Sequence, residues 1–271
     1  MISDEKKFGF SAVCKSVAAG ELVGEGIGTY GEKLMHKTLK YFLCPDESCH
    51  EVRIDKNGVA LNERSAESKA ESGRGGFIAD IFRDGEIIEI QTGSFYPMKK
   101  KIEFYLEKTN YRITVVHPLA AKKWVSWIDT ESGAVSKRRI SPKRCVASDV
   151  LPELFWLSSY LSNNRLSFKL LFLEVDEYRL LDGWGNAGKR GSNRYKLVPL
   201  ELIDELDFHA PDFAKILMPQ GVGEKFISKD FSSHSKLKGR KLSYSLKLLC
   251  EHGVIERGEK IGRSYVYRIK K

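Results

Sequence analysis

Residues 77–92 read FIADIFRDGEIIEIQT, two apolar runs (Phe77 to Phe82 and Glu86 to Thr92) joined by Arg83-Asp84-Gly85. An Asp-Gly pair between such runs predicts a β-hairpin, because both turn positions need the positive φ that Gly, Asn and Asp tolerate best. Centring a two-residue turn on Asp84-Gly85 sets Arg83 opposite Glu86, Phe82 opposite Ile87, Ile81 opposite Ile88 and Asp80 opposite Glu89. Directly opposed residues have Cβ atoms about 4.5 to 5.5 Å apart, so two carboxylates converge. The strand period of two brings Gln91 onto the same face as Glu89.

The surroundings make this pair costly. Ile78, Ala79, Ile81, Phe82, Ile87, Ile88 and Ile90 leave both strands apolar on both faces, the pattern of a covered central sheet. Two like charges embedded there are unfavourable unless a cation offsets them. Hard oxygen donors suit Mg²⁺ or Mn²⁺, and an ion so held activates water and polarises a phosphodiester. The reaction class implied is phosphodiester hydrolysis.

Working outward, Leu34, Met35, Leu39, Phe42 and Leu43 recur at helical spacing over Tyr30 to Leu43, and Cys44-Pro45 ends the run. Val52 to Asp55 and Val59 to Asn62 flank Lys56-Asn57-Gly58, a second hairpin, and the polar, Gly/Ser-rich Glu63 to Gly76 is a loop. Pro97 to Lys108 is a basic amphipathic helix with Ile102, Tyr105 and Leu106 inward. Ile113 to Pro118 is a short buried strand ending at the proline. Helix, strands, helix, strand make a mixed α/β sandwich.

Asp80, the hairpin turn and Glu89-Ile90-Gln91 resemble the core of the PD-(D/E)xK nuclease superfamily, in which an acid is followed, after a hairpin, by Glu-x-Lys. The resemblance spans Gly24 to about Pro118. It implies a restriction-endonuclease-like fold, a mixed β-sheet flanked by helices, and a Mg²⁺-dependent deoxyribonuclease. A first-helix acid often joins the site in that superfamily, and Glu32 occupies the matching position. The resemblance therefore implies Glu32, Asp80 and Glu89 as metal ligands and, with Gln91, as the catalytic set. Gln91 stands where most members carry lysine; glutamine orients water by hydrogen bonding without supplying charge. Lys56, His36 and Lys33 are the cations that could stand in.

Further along, Trp124 to Ile128 and Lys137 to Ile140 form another hairpin, Asp149 to Leu161 a helix, Phe168 to Leu181 a long strand and Pro199 to Leu206 a short helix. Gly183 to Asn193 is a flexible basic loop whose Lys189 and Arg190 either track phosphate or are simply solvated. The expected division is residues 1–145 as the nuclease-like domain, 146–207 as an extension or linker, and 208–271 as a DNA-binding domain.

Formal net charge is +9, and from Val222 onward 13 Lys/Arg stand against 5 Asp/Glu, a surplus of +8 in the last 50 residues. Such a concentrated field favours a polyanion, nucleic acid first. Phe226 to Phe231 as a short helix, a turn at Ser232 to Lys236, a helix from Arg240 to Glu251 that stops at Gly253 and hands over to strand, a charged turn over Glu256 to Arg263 and a strand over Ser264 to Ile269 resemble a winged helix-turn-helix. In that fold the second helix enters the major groove and the wing touches phosphate or minor groove. The resemblance implies DNA contacts from Lys238, Arg240, Lys241, Ser243, Tyr244 and Lys247 on the helix and from Lys260 and Arg263 on the wing; the competing reading is a winged helix used for protein contacts.

No stretch approaches the roughly 20 apolar residues of a membrane span, and MISDEKKFGF lacks a signal-peptide core, so a cytoplasmic protein with no membrane partner is expected. Five scattered cysteines read as reduced thiols; Cys44, Cys49 and His50 lack a fourth ligand at a finger-like spacing. The function expected is a metal-dependent endonuclease of restriction or genome defence, possible as a homodimer because cutting both strands commonly takes two active sites. The alternatives are a non-catalytic DNA-binding regulator with a degenerate nuclease-like domain and, more remotely, a sensor of a small anionic ligand.

Overall fold

The computed structural model describes residues 2–21, 30–61, 75–181 and 193–270, without side chains at 21, 30–33 and 193. The elements are α1 (Asp4–Glu21), α2 (Tyr30–Leu43), β1 (His50–Ile54), β2 (Ala60–Leu61), β3 (Phe77–Arg83), β4 (Glu86–Ile90), α3 (Lys99–Lys108), β5 (Arg112–Ile128), β6 (Arg139–Ile140), α4 (Leu151–Leu154), β7 (Leu166–Leu180), β8 (Asn193–His209), α5 (Phe213–Leu217), β9 (Lys225–Ile227), α6 (Ser228–Ser235), α7 (Gly239–Glu251), β10 (Ile255–Ile261) and β11 (Ser264–Ile269). The class is mixed α/β, with a mixed central sheet flanked by helices. No helix among the described residues is long and apolar enough to cross a membrane.

Two compact units divide the chain, and they are interleaved along it rather than consecutive. The first comprises residues 1–92, 114–146 and 169–207; the second 93–113, 147–168 and 208–271.

The first unit carries the eight-stranded sheet, ordered β2-β1-β3-β4-β5-β7-β8 with β6 paired to β5. Phe10 of α1 and Met35 and Leu39 of α2 pack on Ile81, Ile88, Ile90, Val116, Leu171, Leu173 and Val175, so both helices bury one sheet face in a continuous aliphatic core. Burying each such side chain contributes about 1.5 to 3 kcal/mol. Farther along the sheet Glu177 is only 2% exposed. Burial pushes its carboxyl up, but Lys123, Arg194 and Arg179 outweigh that and hold it below the usual range.

The long strands correct three readings. Pro118 does not end its strand: β5 continues to Ile128, since a proline in a strand withholds one donor without forbidding extension. Pro199 to Leu206 is strand β8, not a helix; Leu200, Ile203 and Leu206 mimic helical spacing, but pairing beside β7 prevails, with Lys169 Nζ 2.7 Å from Asp207. Asp149 to Leu161 is a chain of short pieces, 3-10 turns at Ala147–Val150 and Phe155–Tyr160 around α4. Consecutive Phe155-Trp156 lose side-chain freedom against a preceding helical turn, which weakens a regular helix there.

In the second unit Phe168 lies between Phe95 and Phe208, with ring centroids 6.2 and 5.3 Å away. The Arg165 guanidinium donates to the carbonyls of Leu106, Thr109 and Tyr111, satisfying acceptors at the C-terminal end of α3. β9, β10 and β11 form a three-stranded sheet ordered β10-β11-β9, and α6 and α7 lie between β9 and β10 in sequence. Residues Glu256 to Ile261, read as part of a turn, are strand; the turn is Gly262-Arg263, with Gly262 at φ 62°.

Candidate functional site

The β3–β4 hairpin has the expected register: Arg83 faces Glu86, Phe82 faces Ile87 and Ile81 faces Ile88. Asp84 and Gly85 adopt φ 53° and 71°, which the twist of a two-residue turn demands. The registered pairs end at Ile81 and Ile88. There the Ile90 N–H donates to Asp80 Oδ2 at 2.8 Å, so a carboxylate takes a main-chain hydrogen bond and its orientation is fixed. Glu89, between Ile88 and Ile90, is 4% exposed.

Helix α2 contributes a charged stripe to this region. His36 Nε2 lies 3.2 Å from Asp80 Oδ2, and one turn later Lys40 Nζ lies 2.8 Å from Glu51 Oε1 on β1. The Lys40 hydrogen bond and charge hold the Glu51 carboxyl low; Asp80 opposes this by repulsion and His36 assists it. His36, Lys40, Glu51 and Asp80 are thus one electrostatic group. Glu32 precedes His36 by one turn on α2, and its side chain lies outside the described residues.

Gln91 is anchored by its main chain. Its N–H donates to Val116 O at 2.9 Å, and its carbonyl lies 2.5 Å from His117 Nδ1. A carbonyl only accepts, so Nδ1 carries the proton. Among the stand-ins for lysine, His36 is the one seen beside Asp80; Lys56 is exposed in the β1–β2 turn, and the Lys33 side chain lies outside the described residues.

Lys40, Glu51 and His117 were missed by sequence reasoning. Lys40 had a signal, since Glu32, His36 and Lys40 recur every four residues on one helix; Glu51 and His117 reach the site through sheet pairing and left none.

The donors suit a hard divalent cation in kind, being carboxylate oxygens. Among the described residues, no group of three or more His, Cys, Asp and Glu side chains is placed to hold a metal ion. Cys44, Cys49 and His50 form a turn instead: both sulfurs lie on Asp46 atoms, at 3.5 and 3.9 Å, and His50 Nε2 contacts Cys44 O at 2.7 Å.

In the second unit Lys238, Arg240, Lys241, Ser243 and Lys247 of the α7 region are exposed, as are Lys260 and Arg263 on the β10–β11 hairpin. Tyr244 is not open to a partner in the same way: its ring stacks on Phe155 at 4.8 Å and meets Trp156 edge-on at 5.5 Å. Lys189 and Arg190 lie outside the described residues.

The chain belongs to the family described as "Domain of unknown function (DUF8091)", whose model matches residues 60–209. The match takes in Asp80, Glu89, Gln91 and His117, and leaves out α2 and the segment from α5 onward. No curated protein and no solved structure matches the chain.

Proposed function

We propose that the chain is a divalent-cation-dependent deoxyribonuclease, with a restriction-endonuclease-like catalytic sheet and a C-terminal winged helix that holds DNA. The observation that carries this reading is the placement of two acids on paired strands within the sheet: Glu89 nearly out of contact with water, and Asp80 fixed by the Ile90 N–H beside His36. Burying a carboxylate costs several kcal/mol and is kept where a charge is used. The winged-helix part rests on the order β9, α6, α7, β10, β11 and on the basic surplus of that segment.

Asp80 and Glu89 are the residues that would hold Mg²⁺ or Mn²⁺, with Glu32 as the third donor the resemblance implies. Such an ion, when bound, lowers the pKa of a water and offsets charge developing on the phosphodiester. His117 steadies the Gln91 carbonyl, while the Gln91 side chain offers hydrogen bonds that orient a water. A restriction or genome-defence setting fits an enzyme of this kind, with a second copy supplying the second strand's cut.

One observation favours the non-catalytic regulator: Gln91 supplies no charge where most superfamily members place lysine. Supercoiled plasmid incubated with the full chain and Mg²⁺ or Mn²⁺ separates the readings. Nicked or linear product that a chelator suppresses is the expected result; bound but intact plasmid would make the chain a regulator.

A further inference from the structure

In the second unit, α7 and the β10–β11 hairpin differ in how far they project. Tyr244, Lys247 and Glu251 fall at i, i+3 and i+7 on α7 and so share one helix face. That face is packed at Tyr244 and open farther along, where the Lys247 and Glu251 side chains are 63% and 41% exposed. The Tyr244 ring lies parallel to Phe155 with a 2° tilt, Lys247 Nζ sits 5.1 Å from the Phe155 ring centre, and Ser158 Oγ donates to Glu251 Oε2 at 3.1 Å. His252 joins the same contact, its Nε2 lying 3.1 Å from Ser158 Oγ.

In β10 only Ile255 is buried, and the six residues that follow are exposed, so the ribbon projects. Residues 255–270 hold five Lys/Arg against two Asp/Glu. Arg257 and Lys260 flank the Tyr265 ring, 4.5 and 4.8 Å from its centre, which positions both cations before any partner arrives. The strand register shifts between Arg257 and Lys260, a bulge that increases local twist. At the tip, Ile261 is 72% exposed, between Lys260 and the Gly262-Arg263 turn. A large aliphatic side chain on a basic, projecting ribbon has the chemistry of the wedges that minor-groove binders push between base steps.

We infer that Ile261, at the tip of the β10–β11 hairpin, wedges into the minor groove of duplex DNA between base steps, with Lys260 and Arg263 on the flanking phosphates. The exposed cations at the start of α7, Lys238, Arg240 and Lys241, then serve the neighbouring backbone. This rests on the DNA-binding half of the proposed function.

Full-length variants binding a 20-base-pair duplex with an internal 2-aminopurine provide the test. Losing one phosphate contact at 0.1 M salt lowers affinity about 8-fold. Lys260→Ala and Arg263→Ala should each show that loss and a shallower salt slope. The wild type should raise 2-aminopurine fluorescence by unstacking it, and Ile261→Ala should bind without that rise. Salt-dependent wild-type binding that is indifferent to the hairpin changes and leaves 2-aminopurine fluorescence flat would overturn the inference and leave the DNA-binding reading standing. No salt-dependent binding by the wild type would overturn both.

Discussion

Asp80→Asn and Glu89→Gln are each expected to lower Mg²⁺-dependent DNA cleavage by about 10³-fold or more, while duplex affinity stays within about 2-fold of wild type. The two effects separate because the carboxylates lie on β3 and β4, whereas the basic surplus proposed to hold DNA lies from residue 222 onward. The near-isosteric changes are chosen for the packing. Asparagine keeps an oxygen for the Ile90 N–H that now donates to Asp80, and glutamine keeps the volume of the buried Glu89 side chain. An unfolding midpoint close to wild type checks that only charge has been removed. A cleavage rate unchanged by both variants would remove Asp80 and Glu89 from the reaction.

Gly76→Ala should be the most damaging small substitution on the approach to the site, costing about 2 to 4 kcal/mol of folding free energy. Gly76 precedes β3 at φ 95°, and a Cβ there would stand 2.2 Å from the Ile54 carbonyl oxygen and 2.9 Å from the Asp55 carbonyl carbon. Both obstacles are backbone, so neither can swing aside. Relief requires parting β1 from β3, where Ile54 pairs with Phe77. Gly85→Ala is the control: φ is 71°, but nothing lies within 4 Å, so only the left-handed strain of about 1 to 2 kcal/mol applies. Urea unfolding of the two variants compares these costs directly, and a Gly76→Ala protein no less stable than Gly85→Ala would contradict the close approach.

What the sequence revealed and what it hid follow from the range of the interactions. The β3–β4 register was legible because Asp84-Gly85 sets the turn and the turn sets the pairing, all within a dozen residues. Helix α2 was legible from its apolar period, and with hindsight so was the spacing of His36 and Lys40. The strand β8 was not, because Leu200, Ile203 and Leu206 carry a helical rhythm that only the neighbouring β7 overrules. Nor was the packing of Tyr244, which reads as a residue of the reader helix and whose partner Phe155 lies about ninety positions earlier. The continuation of β5 through Pro118 was hidden for the same reason, since a strand's extent is decided by its neighbours as much as by its own residues. The expected third acid, Glu32, and the loop cations Lys189 and Arg190 fall where side chains are not described.

Titrating Mn²⁺ into the full chain and into the Asp80→Asn/Glu89→Gln double variant addresses the cation itself, independently of turnover. The wild type should show a saturable site that the double variant lacks; equal binding by both proteins, or none by either, would contradict a metal centre built on Asp80 and Glu89.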